Sequence, residues 1–132
     1  MNEGEVYFAL YGENFDPDAV TLLVGLKPSS IQRKNLPTPK HSMWKFSSGK
    51  VRDEVIDVYG MANSLVSRLE PHADGIAGAR RQFGLNAVLE VVLRIAAKEG
   101  ASTPAIGFDL EVIEFLTRVG ASIDVDTYLI AS

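Results

Sequence analysis

Gly120-Ala121-Ser122-Ile123-Asp124-Val125-Asp126-Thr127-Tyr128-Leu129-Ile130 is the stretch that decides the fold. Side chains alternate along an extended strand, so Ile123, Val125, Thr127 and Leu129 share one side and Asp124, Asp126 and Tyr128 share the other. The expectation is a strand that buries its apolar side and turns two carboxylates and a phenol to water. Gly120 just before it reads as the left-handed stop of a preceding helix, Leu110–Val119, with Asp109 as its N-terminal cap.

Working backwards, Asn86–Ala97 alternates as a second long strand. Leu89, Val91, Leu93 and Ile95 face one way, and Glu90, Val92 and Arg94 face the other. Between it and the last helix, Lys98–Thr103 reads as a turn or loop and Pro104-Ala105-Ile106-Gly107-Phe108 as a short strand. Upstream, Val55, Val58, Tyr59, Ala62, Leu65, Val66 and Leu69 recur at three- and four-residue spacing, which predicts a helix with one apolar stripe. Pro71 interrupts it, and Ala73–Phe83 forms a second helical piece ending at Gly84. Gly75 and Gly78 count against that piece, each costing about 1 kcal/mol relative to alanine.

The N-terminal third opens with an aromatic-rich strand, Val6–Tyr11, closed by Gly12. Asp16 caps and Pro17 begins a short helix that stops at Gly25. Ile31–Lys34 is a weak, edge-like strand. Pro37 and Pro39 keep the next segment out of a sheet ladder. Met43–Ser47 is a strand, and Ser48-Gly49-Lys50 reads as a turn. The order βαββαββαβ predicts one α+β domain over residues 1–132, a two-layer sandwich whose mixed, mainly antiparallel sheet carries helices on one face.

Composition narrows the function. The chain has 132 residues, no cysteine and a formal net charge of −4. The missing cysteines remove disulfides, thiol nucleophiles and cysteine-based metal centres together. An acidic chain whose strongest basic run is Arg33-Lys34 is a poor match for a phosphate backbone, so no nucleic-acid partner is expected. Residues 20–26 and 87–97, the longest apolar stretches, are too short or too interrupted by charge to span a bilayer. The acidic N-terminus lacks the basic flank of a signal peptide. A cytoplasmic protein with no membrane partner is expected.

Familiar catalytic motifs are missing. Ser48-Gly49-Lys50-Val51 ends like a phosphate-binding loop, but Trp44 replaces its first glycine and Val51 stands where a magnesium-binding hydroxyl belongs. Gly75-Ile76-Ala77-Gly78 lacks the dinucleotide pattern and follows no strand. There is no Gly-x-Ser-x-Gly elbow, and His41 and His72 show no metal-ligand spacing. No catalytic residue, metal site or cofactor is assigned.

What the chain does offer is a sheet face. With helices on one side, the other collects Tyr7, Tyr11, Glu90, Arg94, Asp124, Asp126 and Tyr128. Such a face either binds a partner or ligand or carries solvated cross-strand pairs, such as Arg94 with Glu90, Asp124 or Asp126. Asp124 and Asp126, roughly 6.5–7 Å apart by strand rise, have the spacing for a divalent ion or an acid–base pair, with Glu90 the one further carboxylate within reach; two solvated aspartates beside a basic neighbour are the plainer reading. Arg33, Lys34, Lys40, His41, Trp44 and Lys45 cluster around the proline loop. Trp44 there is either an interface anchor or a core residue.

One resemblance bears on the whole chain. Phe8, Gly12 and Asp16-Pro17, then Leu23-Val24-Gly25-Leu26-Lys27-Pro28, Trp44 before Ser47-Ser48-Gly49, Leu69-Glu70-Pro71 and the Gly120–Tyr128 ending together resemble a bacterial domain-of-unknown-function family, DUF4279. Asn35 stands where that pattern has a glycine after the basic pair. The resemblance implies a small stand-alone bacterial domain and carries over no activity.

Two functions remain open. One is a non-enzymatic module that captures another protein, as immunity proteins do. The other is a small-ligand-binding protein or enzyme, its site between the basic loop and the carboxylate strand and built from Arg33, Trp44, Glu90, Asp124 and Asp126. A homodimer by sheet extension near Ile31–Lys34 is a further expectation.

Overall fold

In the computed structural model, which describes residues 1–98, 100 and 103–131, the chain runs β1 (Asn2–Gly12), α1 (Pro17–Val24), β2 (Ser30–Gln32), β3 (Ser42–Asp53), α2 (Val58–Leu69), α3 (Ala73–Phe83), β4 (Asn86–Ala96), α4 (Leu110–Val119) and β5 (Ser122–Ile130). One sheet holds all five strands in the order β2-β3-β1-β4-β5. β1 is central and antiparallel to both β3 and β4, β2 is antiparallel to β3, and β5 is parallel to β4. The parallel pair is joined through α4, since parallel neighbours need a crossover. This is the mixed α+β sandwich that the sequence predicts.

Strand alternation sets the core. Val6, Phe8 and Leu10 of β1, Trp44 and Phe46 of β3, and Ala87, Leu89, Val91 and Leu93 of β4 are buried together with Leu65 and Leu69 of α2, Ile76 of α3 and Phe115 of α4. Phe8 meets Phe115 edge to face at 6.0 Å, a favoured aromatic geometry. Trp44 is fully buried, and its indole Nε1 donates to Thr21 Oγ1 on α1 at 3.0 Å. Among the described residues no helix is long and apolar enough to cross a membrane.

The helix ends follow local chemistry. The Asp16 carboxylate accepts from the Asp18 amide, and Gly25, Gly84 and Gly120 close α1, α3 and α4 in the left-handed conformation. Asp109 precedes α4 but its carboxylate accepts from Asn63 Nδ2 at 2.5 Å instead of capping. α2 begins at Val58, capped by Asp57, so Val55 lies outside it and stands exposed. Gly75 turns from a weakness into a requirement: a Cβ there would run into the Leu23 carbonyl where α1 crosses α3.

Three expectations change. Ser48-Gly49-Lys50 is no turn, because β3 continues to Asp53 through a bulge: pairing with β1 jumps between Glu5 and Tyr7, and Gly49 takes φ +89°. A glycine in that region supplies the extra residue without a Cβ clash. Residues 104–108 form no strand. They pass over α2, where Gly107 packs on the Tyr59 hydroxyl. The Lys98–Thr103 turn lies partly outside the described residues. Finally, β5 does not bury its apolar side: as an edge strand it leaves Ile123 and Leu129 exposed.

Candidate functional site

The helices leave one side of the sheet uncovered. Register places Met43, Lys45, Ser47, Lys50 and Arg52 of β3 on it, and opposite them Tyr11, Ala9, Tyr7, Glu5 and Glu3 of β1. β4 adds Asn86, Val88, Glu90, Val92 and Arg94, and β5 adds Asp124, Asp126 and Tyr128 beside Glu90, Val92 and Arg94. Tyr7 and Asp124 thus flank Glu90 on either side.

Three carboxylates converge on the β4–β5 half of this face. One oxygen from each of Glu90, Asp124 and Asp126 lies within 4.8 Å of the other two. Their exposures differ: Asp124 is open, Asp126 is half-buried and Glu90 is 6% exposed. Glu90 Oε1 is buried with no hydrogen-bond partner. Burial, with the Asp126 and Asp124 carboxylates as hydrogen-bonding and repelling neighbours, pushes the Glu90 carboxyl up to about 8. Each neighbouring carboxylate disfavours ionisation of the next unless a positive charge compensates.

No ion pair to these carboxylates forms among the described residues, and two cations of this face are engaged elsewhere. Arg94 reaches Glu3 on β1 at 3.9 Å and sits 5.1 Å from the Tyr128 ring centre. Lys45 pairs with Glu5 at 3.3 Å and lies 4.1 Å over the Tyr7 ring. Glu5 also accepts from Ser47 Oγ at 2.5 Å. Burial raises the Glu5 carboxyl, but Ser47 and Lys45 together outweigh it and leave the group below the ordinary glutamate value. The Tyr7 phenol is pushed up to about 12, by burial first and then by Glu90 and the other carboxylates around it.

The face is not flat. A shallow depression of about 410 Å³ is lined by Tyr7, Tyr11, Met43, Val88, Glu90 and Asp124 among others. A larger groove of about 690 Å³ lies on the helical side between α2 and α4, floored by Val66 and Phe115 and rimmed by Asp109, Glu111 and Glu114. Its one cation, Arg118, is held by Glu70 at 3.1 Å and Asp74 at 2.9 Å. The groove is wider, but its polar groups are exposed or internally paired, whereas the depression touches the buried, unpartnered Glu90.

Of the residues singled out in the sequence, Glu90, Arg94, Asp124, Asp126 and Tyr128 stand together on the uncovered face. Arg33 and Trp44 do not join them. β2 and β5 are opposite edges of the sheet, four strand spacings or roughly 19 Å apart. Arg33, just beyond β2, pairs with Asp16 and Asp18 at the start of α1. Trp44 points to the helical side, into the core. The proposed cross-strand pairing of Arg94 with the carboxylates is likewise replaced by its contacts with Glu3 and Tyr128. Sequence reasoning missed Glu3, Glu5 and Lys45 as members of this face. The alternation Glu3, Glu5, Tyr7 was the available signal, and it required starting β1 four residues earlier.

No curated protein and no solved structure matches the chain. A family model described as a domain of unknown function matches residues 2–130, nearly every residue from which the sandwich and its uncovered face are built, and the chain therefore belongs to that family, DUF4279.

Proposed function

We propose that the chain is a non-enzymatic binding module that captures a partner protein through the uncovered face of its sheet. The observation that carries this reading is the composition of that face: Tyr7, Tyr11 and Tyr128 interleave with Lys45, Arg94 and the three carboxylates, with no helix laid over them. Tyrosine and arginine dominate protein interfaces because they bring large contact area with polar ends at small entropic cost. An immunity-type antagonist is one form such a module takes.

The test is co-purification from the source organism with wild-type chain and two variants. Tyr128→Ala with Arg94→Glu alters the uncovered face, and Glu111→Lys with Glu114→Lys alters the helical groove. Loss of a stoichiometric partner from the first pair only supports the reading. Retention in the first and loss in the second rejects it.

A second reading, self-association by sheet extension, is favoured by one observation. β5 leaves a nine-residue edge with Leu129 exposed, while β2 offers three residues. Sedimentation of wild type and Leu129→Lys distinguishes a dimer through that edge from a monomer.

A further inference from the structure

We propose that Glu90, Asp124 and Asp126 form a binding site for one hard divalent cation, of the calcium, manganese and magnesium class, at the β4–β5 side of the uncovered face. This goes beyond partner capture and does not depend on it.

Three observations carry it. The first is spacing. One oxygen of each carboxylate lies within 4.8 Å of the other two. Three oxygens spread evenly around one ion at roughly 2.3–2.6 Å lie roughly 4.0–4.5 Å apart, so a small inward rotation of the side chains brings all three onto one ion. The second is that Glu90 is more than nine-tenths buried, its Oε1 has no donor, and its side chain is aimed at the two aspartates. A buried acceptor without a donor is costly unless a proton, a water or a cation meets it. The third is that two of the protein's own cations on this face are drawn away, Arg94 to Glu3 and Tyr128, Lys45 to Glu5 and Tyr7, while Lys50 and Arg52 stand on β3 opposite Glu5 and Glu3.

The donor set selects the class of ion. All three ligands are carboxylates, with no histidine or cysteine, which suits hard ions and disfavours zinc or copper. The register explains the geometry. Glu90 and Asp124 are partners across a parallel ladder, and Asp126 is two residues along the same strand, so two adjacent rungs present a triangle of oxygens. Asp124 is open to water, leaving the outer coordination positions to solvent or to an oxygen from a bound molecule. Tyr7 and Glu5 on β1, with Arg94 and Tyr128 alongside, complete the charged surroundings.

The test uses chelator-treated full-length chain and the metal salts alone. In calorimetric titration with calcium, manganese or magnesium chloride, one ion per chain binds with a Kd of about 10⁻⁵–10⁻³ M. Glu90→Gln, Asp124→Asn and Asp126→Asn each weaken it about tenfold or more, while Glu111→Gln in the helical groove leaves it unchanged. Manganese broadening of amide resonances in the wild type locates the ion without any variant, centred on residues 90, 124 and 126. Absence of saturable binding by any of the three ions up to about 10 mM, well above the weakest ordinary calcium sites, overturns the site. So does broadening centred on Asp109 and Glu111, or affinity that survives Glu90→Gln in a folded variant. Because no partner protein enters the measurement, a negative result leaves the capture reading standing.

Discussion

Glu90 and Asp124 are direct partners across the parallel β4–β5 ladder and project from the same uncovered face, one buried and the other open to water. The buried member therefore keeps a proton under conditions where an ordinary glutamate has lost it.

That difference predicts a pH signature. The Glu90 carboxyl is raised from 4.5 to about 8, by burial first and by Asp126 and Asp124 next. Between those values the folded chain holds more protons than the unfolded one, so stability falls as pH rises through this window. With chelator present, the thermal midpoint of wild type declines from about pH 5 to about pH 8 relative to Glu90→Gln. At about pH 8 the variant is the more stable by about 1–3 kcal/mol, or about 5–10 °C at this chain length. Parallel midpoints across that range would refute a buried, proton-holding Glu90.

Glu5 behaves in the opposite sense. Burial raises its carboxyl, but the Ser47 hydroxyl and Lys45 ammonium bring it below 4.5 overall. Its contribution is present above the unfolded value and is lost as pH falls through the lower folded one. Ser47→Ala raises the Glu5 pKa in carboxyl-carbon NMR titrations and costs about 0.5–1.5 kcal/mol at neutral pH. The cost shrinks once both states are protonated in acid. An unchanged titration in the variant would mean that the hydroxyl does not hold the carboxylate.

Two glycines of α3 separate on substitution. Gly78→Ala meets nothing within 4 Å and gains helix propensity, so it stabilises by about 0.5–1 kcal/mol. Gly75→Ala sets a methyl against the Leu23 carbonyl and costs about 1–3 kcal/mol. Urea denaturation of both variants checks the contrast, and equal effects would mean that α1 and α3 are not in close contact there.

Trp44 is tied to α1 by one hydrogen bond. Thr21 Oγ1 accepts from its indole and donates to the Pro17 carbonyl at 3.1 Å. Thr21→Val preserves the shape and strands a buried N–H, with an expected loss of about 1–3 kcal/mol. Trp44→Phe combined with Thr21→Val in a double-mutant cycle isolates the bond. A coupling near zero would show that packing alone holds the indole.

Elements with strong local signals were legible from sequence. Asp16-Pro17 with Gly25 bounded α1 to the residue, and the alternation over Asn86–Ala96 and Ser122–Ile130 put Glu90, Arg94, Asp124, Asp126 and Tyr128 on one face. What failed depended on partners distant in sequence. Residues 104–108 have the apolar content of a strand but find no strand to pair with. Arg33 and Trp44 looked close to the carboxylates only while strand order was unknown; with β2 and β5 at opposite edges, and Trp44 on the inward phase of β3, they separate. The burial of Glu90 was hidden for the same reason, since it arises from flanking strands that a linear reading cannot place.

The one-residue insertion at Gly49 also decides how the broad plane of the molecule is electrified. By resetting the alternation of β3 it brings Lys50 and Arg52 round to join Lys45, opposite Glu5 and Glu3. Lys45, Lys50 and Arg52 thus share the β3 flank of the plane, while Asp124 and Asp126 lie on the β5 flank. Opposite charges set apart on one plane give an approaching dipolar molecule a favoured orientation. A strand running straight through would have left Val51 there, with Lys45 the one cation of β3 on the plane.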